Sequence, residues 1–564
     1  MQAVPSKVVP LRQKRGLVSR PPNNSRMAGP LLAAVLCLVP LTPLPTWAAA
    51  PLLSQADATR LLEQTTFGPT DALVAHVQAV GVQGWLNEQF AAPESQYPVF
   101  PYAPPGPTTF CATNSNPNCL RDNYSLFLLQ NAFFVNALTH PDQLRQRVAF
   151  ALSQILVTSG VEVNFVYGMA RYEQLLLDNA FGNYQDLLTQ VTLSPVMGDY
   201  LNMVNNDKPQ GTSEPNENYG REVMQLFSVG VWELNPDGSQ MLDAQGAPIP
   251  TYSQQTVAAF ATVFTGWTYP PLAGTPPANH NPKNFLGNMV GVPAEHDTSA
   301  KTLLDGAVDP AGQSMSNDLS FAMQNLIQHP NVGPFISKQL IQKLVTGNPS
   351  PAYVQRVSAV FDNDGAGVKG NLKAVITAIL TDPEARGDVK SDPNYGKLRE
   401  PVLFMTAAAR ALGTASDGVF FMQQASNLSQ DVFDADSVFN FYPPTYIAPG
   451  TDLLGPEFAL ANASTAINRY NFANTLVFGT IPPLATLPGA TGTQPSWATL
   501  QSLAANPAGL VAELNNLLMH GTMPAAMQTT LLSAIATVPA SDPLTRAQTA
   551  FYLTITSPEY QVER

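Results

Sequence analysis

Apolar residues along most of this chain recur every three to four positions, the spacing that lines one face of an α-helix. The pattern predicts helices over 57–66, 70–80 and 82–90, with Gly68-Pro69 and Gly81 as breaks. It continues over 121–138 and 143–157, punctuated by His140-Pro141, and then over 165–179, 184–192 and 216–229. Helical spacing returns at 319–328, 332–345, 352–361, 371–380 and 456–472, and three further patterns close the chain.

Four stretches break the period. Residues 231–252 alternate around Asn235-Pro-Asp-Gly238 and predict a β-hairpin on a tight turn. A proline-rich run from Pro93 to Pro107 reads as an ordered surface excursion. Residues 268–316 carry little period and many Gly and Pro, and 426–456 are irregular and aromatic; long loops of this kind inside a compact domain are usually functional or mobile. The expected fold is mainly α: one large multi-helix domain with one small β-hairpin and long irregular loops. Residues 49–497 are expected to form the main helical domain, with 498–564 a helical subdomain packed on it.

The start of the chain is of another kind. Its first 26 residues hold six basic side chains and no acid, followed by an apolar run from Leu31 to Val39 and a small-residue stretch ending Thr-Trp-Ala-Ala-Ala. This is the form of a secretory signal peptide over residues 1–48, with cleavage after Ala48 and a periplasmic or extracellular destination. The apolar run is too short to span a membrane, and no later stretch reads as a transmembrane segment. Loss of the leader leaves 22 basic against 41 acidic residues, a net of −19. So acidic a chain is poorly suited to nucleic acid or an anionic membrane. Cys111 and Cys119 then remain as the two cysteines, around a turn-forming segment. In an oxidising compartment they are expected to form a disulfide; their spacing fits no zinc site.

Candidate chemistry falls in four places. In NENYGREVMQLFSVG (216–230), Tyr219, Val223, Leu226 and Phe227 share an apolar face while Glu217 and Arg221, four apart, can pair on the other. Glu222 sits at the edge of the stripe, where a carboxylate is partly desolvated and needs a partner. Glu295-His296-Asp297 with Lys301 lies in the long irregular segment and offers a proton-transfer group beside an orienting acid, or a capped surface turn. Lys397, Arg399 and Glu400 precede a helix-compatible run, either as ordinary N-terminal chemistry or as a buried Arg–Glu bridge to Glu222 or Arg221. Finally Asn440 and Tyr442 lie in SVFNFYPP, whose aromatics line a groove or pin a loop to the core.

Several signatures are missing: no GxSxG elbow, P-loop, dinucleotide glycine fingerprint or HExxH helix is present. No metal ligand set and no cofactor site is identified.

Taken in order, NENYGREVMQLFSVG, FTGW (264–267), HDTSAK (296–301), KLREPV (397–402), SVFNFYPP (437–444) and TSPEYQV (556–562) resemble the bacterial family called domain of unknown function 1800. That family has no established activity. The resemblance implies a partner role beside another exported family, domain of unknown function 1501, which resembles sulfatases and phosphatases in fold. Two readings follow. One is an exported helical accessory or binding protein linked to an extracellular polymer or envelope component. The other is a secreted or periplasmic hydrolase or lyase on a polysaccharide or other cell-surface substrate. There Glu222 and His296–Asp297 move protons, and Arg221 or Lys301 holds an anionic group.

Overall fold

The computed structural model describes residues 53–387, 390 and 392–564, and the expected signal peptide lies outside them. Among the described residues are 23 α-helices, joined by irregular loops and four two-stranded antiparallel sheets. The fold is mainly helical, as the apolar spacing predicts. Helix starts follow local chemistry: Ser54, Thr70, Asn183, Ser314, Ser350 and Asn371 each accept a backbone N–H of the first turn. The break expected at Gly81 is a single residue of left-handed backbone (φ 71°) inside Asp71–Ala91.

Three expected helices are differently cut. Residues 121–138 split into Cys119–Asn123 and Phe127–Thr139. The motif helix runs only Asn218–Gln225, after which the N–H groups of Val229 and Gly230 both turn back onto the Met224 carbonyl. Residues 456–472 become a 3-10 turn, Pro456–Leu460, and a helix Ala463–Phe478 opened by an Asn462–Thr465 capping box. The helices Pro195–Tyr200, Gln254–Val263 and Val419–Asn427 stand where no clear period predicts them. The hairpin expected over 231–252 is present as a bridged meander: Leu234 faces Gln240 across the Asn235–Gly238 turn, and Trp232 faces Pro250.

Helices Pro507–Met519 and Pro543–Ile555 pack together and against Gln55–Thr65, Pro401–Ala411 and Ala463–Phe478. The last strand, Val562–Glu563, then pairs antiparallel with Lys397–Leu398, so that Lys397 faces Glu563 and Leu398 faces Val562. Two motifs separated by most of the C-terminal half are thereby brought side by side. Cys111 and Cys119 form the expected disulfide, their Cα atoms 5.5 Å apart. No helix among the described residues is long and apolar enough to cross a membrane.

Candidate functional site

The motif helix Asn218–Gln225 docks by its apolar face. Tyr219 and Val223 are buried, the Tyr219 hydroxyl is 2.5 Å from Thr192 Oγ1, and its ring meets Phe264 of FTGW edge-on at 4.9 Å. On the other side Arg221 Nη2 donates to Glu217 Oε2 at 2.8 Å, and Gln254 Nε2 donates to both Glu217 oxygens. The pair is about one-third exposed and contributes little on its own. Glu222 differs: it is 8% exposed and its Oε2 finds no hydrogen-bond partner. Burial raises its carboxyl above the usual range, against the weaker pull of Arg221. Its charge also reaches Tyr200 and Tyr252, whose hydroxyls are pushed up to about 12, chiefly by burial.

Next to this helix opens a cleft of about 500 Å³. Asn218 and Tyr200 line one side with Asn202, and Asp436, Ser437 and Val438 line another, so the first and fifth motifs meet there. Asn218 Nδ2 donates to Asn202 Oδ1 at 3.0 Å, holding Asn202 in left-handed backbone (φ 59°). Glu162 and Asp199 complete the wall; Asp199 is fixed by Tyr269 at 2.6 Å and Lys283 at 2.7 Å.

His296 and Lys301 are not in that cleft. His296 Nδ1 donates to the Thr265 carbonyl at 3.0 Å, and Nε2 lies 3.1 Å from Asp318 Oδ2. Lys301 Nζ donates to the same Asp318 oxygen at 2.7 Å and to the carbonyls of Asp297 and Ser299. His296 and Lys301 are each 3% exposed and Asp318 is fully buried. Gly266 of FTGW (φ 82°) makes the approach possible, because a Cβ there would lie 3.0 Å from the His296 backbone nitrogen and the Val292 carbonyl. Asp297 does not orient His296; its Oδ1 accepts from Ser299 N at 2.7 Å and Ser299 Oγ at 2.5 Å, closing a turn. Among the described residues no hydrogen bond or ion pair joins Glu222 or Arg221 to His296, Asp297 or Lys301.

Of the remaining candidates, Lys397, Glu400, Asn440 and Tyr442 come together in one buried network, while Arg399 beside them bonds elsewhere. The Tyr442 hydroxyl donates to Glu400 Oε2 at 2.8 Å; Gln430 Nε2 reaches the same oxygen at 2.5 Å and Gln154 Nε2 at 3.3 Å. Asn440 Nδ2 and Lys343 Nζ both donate to Gln154 Oε1. Lys397 Nζ donates to the Lys343 carbonyl at 2.7 Å. Against the cost of burial, Lys397, Lys343 and Arg147 hold Glu400 below the usual carboxylate range. The SVFNFYPP motif therefore divides: Ser437 and Val438 reach the cleft, while Asn440 and Tyr442 pin its far end inside.

The Arg–Glu bridge anticipated from Arg399 to the motif helix goes elsewhere. Arg399 Nη2 donates to Glu63 Oε1 at 2.5 Å, and His520 Nε2 meets Glu63 Oε2. Although burial alone would raise it, the pair of cations holds Glu63 down to about 2. Two further acids, Glu457 and Glu563, complete the cluster without any side-chain hydrogen bond, and burial raises both, Glu457 to about 7. Glu63, Gln154, Lys343, Glu457, His520 and Glu563 are residues that sequence reasoning missed. Glu63 gave no usable signal: it lies opposite the face formed by Ala58, Leu61 and Leu62, and only the burial of the whole helix from Asp57 to Thr65 encloses it. No group of three or more His, Cys, Asp or Glu among the described residues could hold a metal ion.

A model of the family described as "Protein of unknown function (DUF1800)" matches residues 60–562. The chain belongs to the DUF1800 family. No curated protein and no solved structure matches it. The DUF1800 span runs from the helix that carries Glu63 to Val562, which pairs with Leu398, so the buried network falls within it except for Glu563.

Proposed function

We propose that this DUF1800 protein is an exported accessory or binding protein that handles an extracellular polymer or envelope component. The observation that carries this reading is the sealing of the groups a reaction would need. His296 and Lys301 close on Asp318, and Arg399 and Glu400 close on Glu63, Tyr442 and Gln430. A proton donor with no access to a ligand cannot serve it. What stays open is the cleft beside Asn218, whose amides, hydroxyl and carboxylates suit the hydroxyl groups of a sugar polymer. Export is supported by the form of the first 48 residues and by the Cys111–Cys119 disulfide. A protein of the family called domain of unknown function 1501 is the proposed partner.

The test is co-sedimentation of the purified chain with insoluble envelope polysaccharide. Retention is expected, and its loss in Asn218→Ala/Asp436→Ala. Release of soluble fragments by the wild-type chain would overturn the reading.

One observation favours the enzyme instead. Glu222 is a buried carboxyl with a raised pKa and a free oxygen, on the helix that borders the cleft. In that reading Glu222 alone supplies the acid, without His296 or Asp297, and Glu222→Gln abolishes fragment release while the fold persists.

A further inference from the structure

The segment that carries Lys301 folds back on itself as a short ladder, Lys301–Thr302 pairing antiparallel with Val308–Asp309. The register sets Lys301 directly across from Asp309. The chain then enters the helix Met315–Gln328, whose first turn brings Asp318 to the same amine. Three ionisable side chains thus meet where water is excluded: Asp318 is fully buried, Asp309 is 1% exposed and Lys301 3%. Leu303, Leu304, Met315 and Leu319, their neighbours in sequence, are buried with them.

The amine is aimed at one carboxyl. Lys301 Nζ lies 2.7 Å from Asp318 Oδ2, and the carbonyls of Asp297 and Ser299 hold its other hydrogens. The carboxylate of Asp297 is farther, at 3.9 Å, and is tied to Ser299. His296 Nε2 flanks the same Asp318 oxygen at 3.1 Å. Among the described residues, neither Asp318 Oδ1 nor Asp309 Oδ2 has a hydrogen-bond partner, although both are buried. The two carboxyls bear on each other instead, and a proton held between them relieves both oxygens. Burial first, and then the charge of Asp318, raise Asp309 above the usual carboxylate range, against the pull of Lys301 and His296. Asp309 is therefore the acid that carries this proton.

We propose that Lys301 and Asp318 join in an intramolecular isopeptide bond, with Asp309 as the proton relay. A proton first passes from Nζ to Oδ2 along the existing hydrogen bond, a step that removes a buried ion pair. The freed lone pair of Nζ then forms the bond to Cγ while Asp309 protonates Oδ1. Asp309 next takes a proton from Nζ and gives it to one hydroxyl, which leaves as water when its bond to Cγ breaks. It recovers its own proton as the remaining hydroxyl becomes the amide carbonyl. Ammonium and carboxylate are thus converted to amide and water, with no oxidant and no other reactant. Bulk water disfavours such a condensation, but groups held in contact reach effective molarities of about 10⁵–10⁸ M. The product ties the long irregular segment to the helix Met315–Gln328, closing a loop as a disulfide does. Neither reading of the function depends on it.

The experiment is trypsin digestion of the purified protein, folded and then denatured and reduced, read by peptide mass spectrometry. In this region trypsin cuts after Lys283, Lys301 and Lys338. The wild-type chain is expected to resist cleavage after Lys301 and to yield peptide 284–338 lighter than its sequence by one water, about 18 Da. Lys301→Arg keeps the charge and should yield 284–301 and 302–338 separately at full mass. Asp309→Asn keeps the size, removes the relayed proton and should do the same. A succinimide at Asp305-Gly306 loses the same water but leaves Lys301 open to trypsin. Three results would overturn the assignment: complete cleavage after Lys301 in the wild type, a 284–338 peptide of full mass only, or a water deficit that persists in either variant.

Discussion

Arg399 and Glu63 lie 336 residues apart in sequence and 2.5 Å apart in space, in a pair from which water is excluded. His520 closes the other side of the same carboxylate. Removing one member of a buried pair strands the other charge, at a cost of roughly 3–5 kcal/mol. Arg399→Met is expected to lose stability on that scale in urea unfolding. Glu63→Gln/Arg399→Met should lose less than the sum of the single changes.

The same carboxylate sets a pH dependence. Its folded pKa, about 2, lies below its ordinary value of 4.5, so its stabilisation is fully present above 4.5 and is lost as pH falls toward 2. The integrated effect is on the order of 3 kcal/mol. In Glu63→Gln the stability-versus-pH curve should flatten between pH 5 and 2, as followed by circular dichroism.

Glu457 works in the opposite direction. Burial raises it to about 7, so its contribution is full below 4.5 and disappears as pH rises through 7. Glu457→Gln keeps the shape and removes the titration. This variant is expected to be more stable than wild type at pH 8 and no more stable at pH 4.5, read from thermal unfolding at both values.

Gly266 tests the approach that seals His296. A Cβ there meets backbone at 3.0 Å, and φ 82° disfavours any side chain. Gly266→Ala should destabilise by roughly 1–3 kcal/mol. The measurement is denaturant unfolding with tryptophan fluorescence, Trp267 being adjacent.

Much of this architecture is legible in the sequence because helices announce themselves locally. Ser54, Thr70 and Asn371 mark their starts, and Gly81 marks its break within a few residues. The Glu217–Arg221 pair is legible for the same reason, since four residues are one helical turn. Asp318 is not: it lies 17 residues from Lys301 and 22 from His296, on a helix with its own apolar stripe, and no period links the three. Glu63, Arg399 and His520 meet only because three distant helical regions and a two-residue sheet bring them together. Motif residues could thus be picked out as charged and unusual, while their partners, and with them their sealed position, depend on tertiary contacts.

The pairing of Lys397–Leu398 with Val562–Glu563 has a consequence for biogenesis. A chain emerging from its N-terminus makes Glu63 before Arg399, Arg399 before His520, and the closing strand after all three. Until that strand arrives, Arg399 lacks the Tyr560 carbonyl that receives its Nε and Arg469 lacks the Gln561 side chain. Arg399 and Arg469 therefore each lack one hydrogen-bond acceptor until residues 560–561 dock, while Arg399 keeps its pair with Glu63. Docking of the 556–562 motif is thereby coupled to the solvation of a guanidinium deep in the interior, so that a surface-reaching segment and a buried charge are settled in one event.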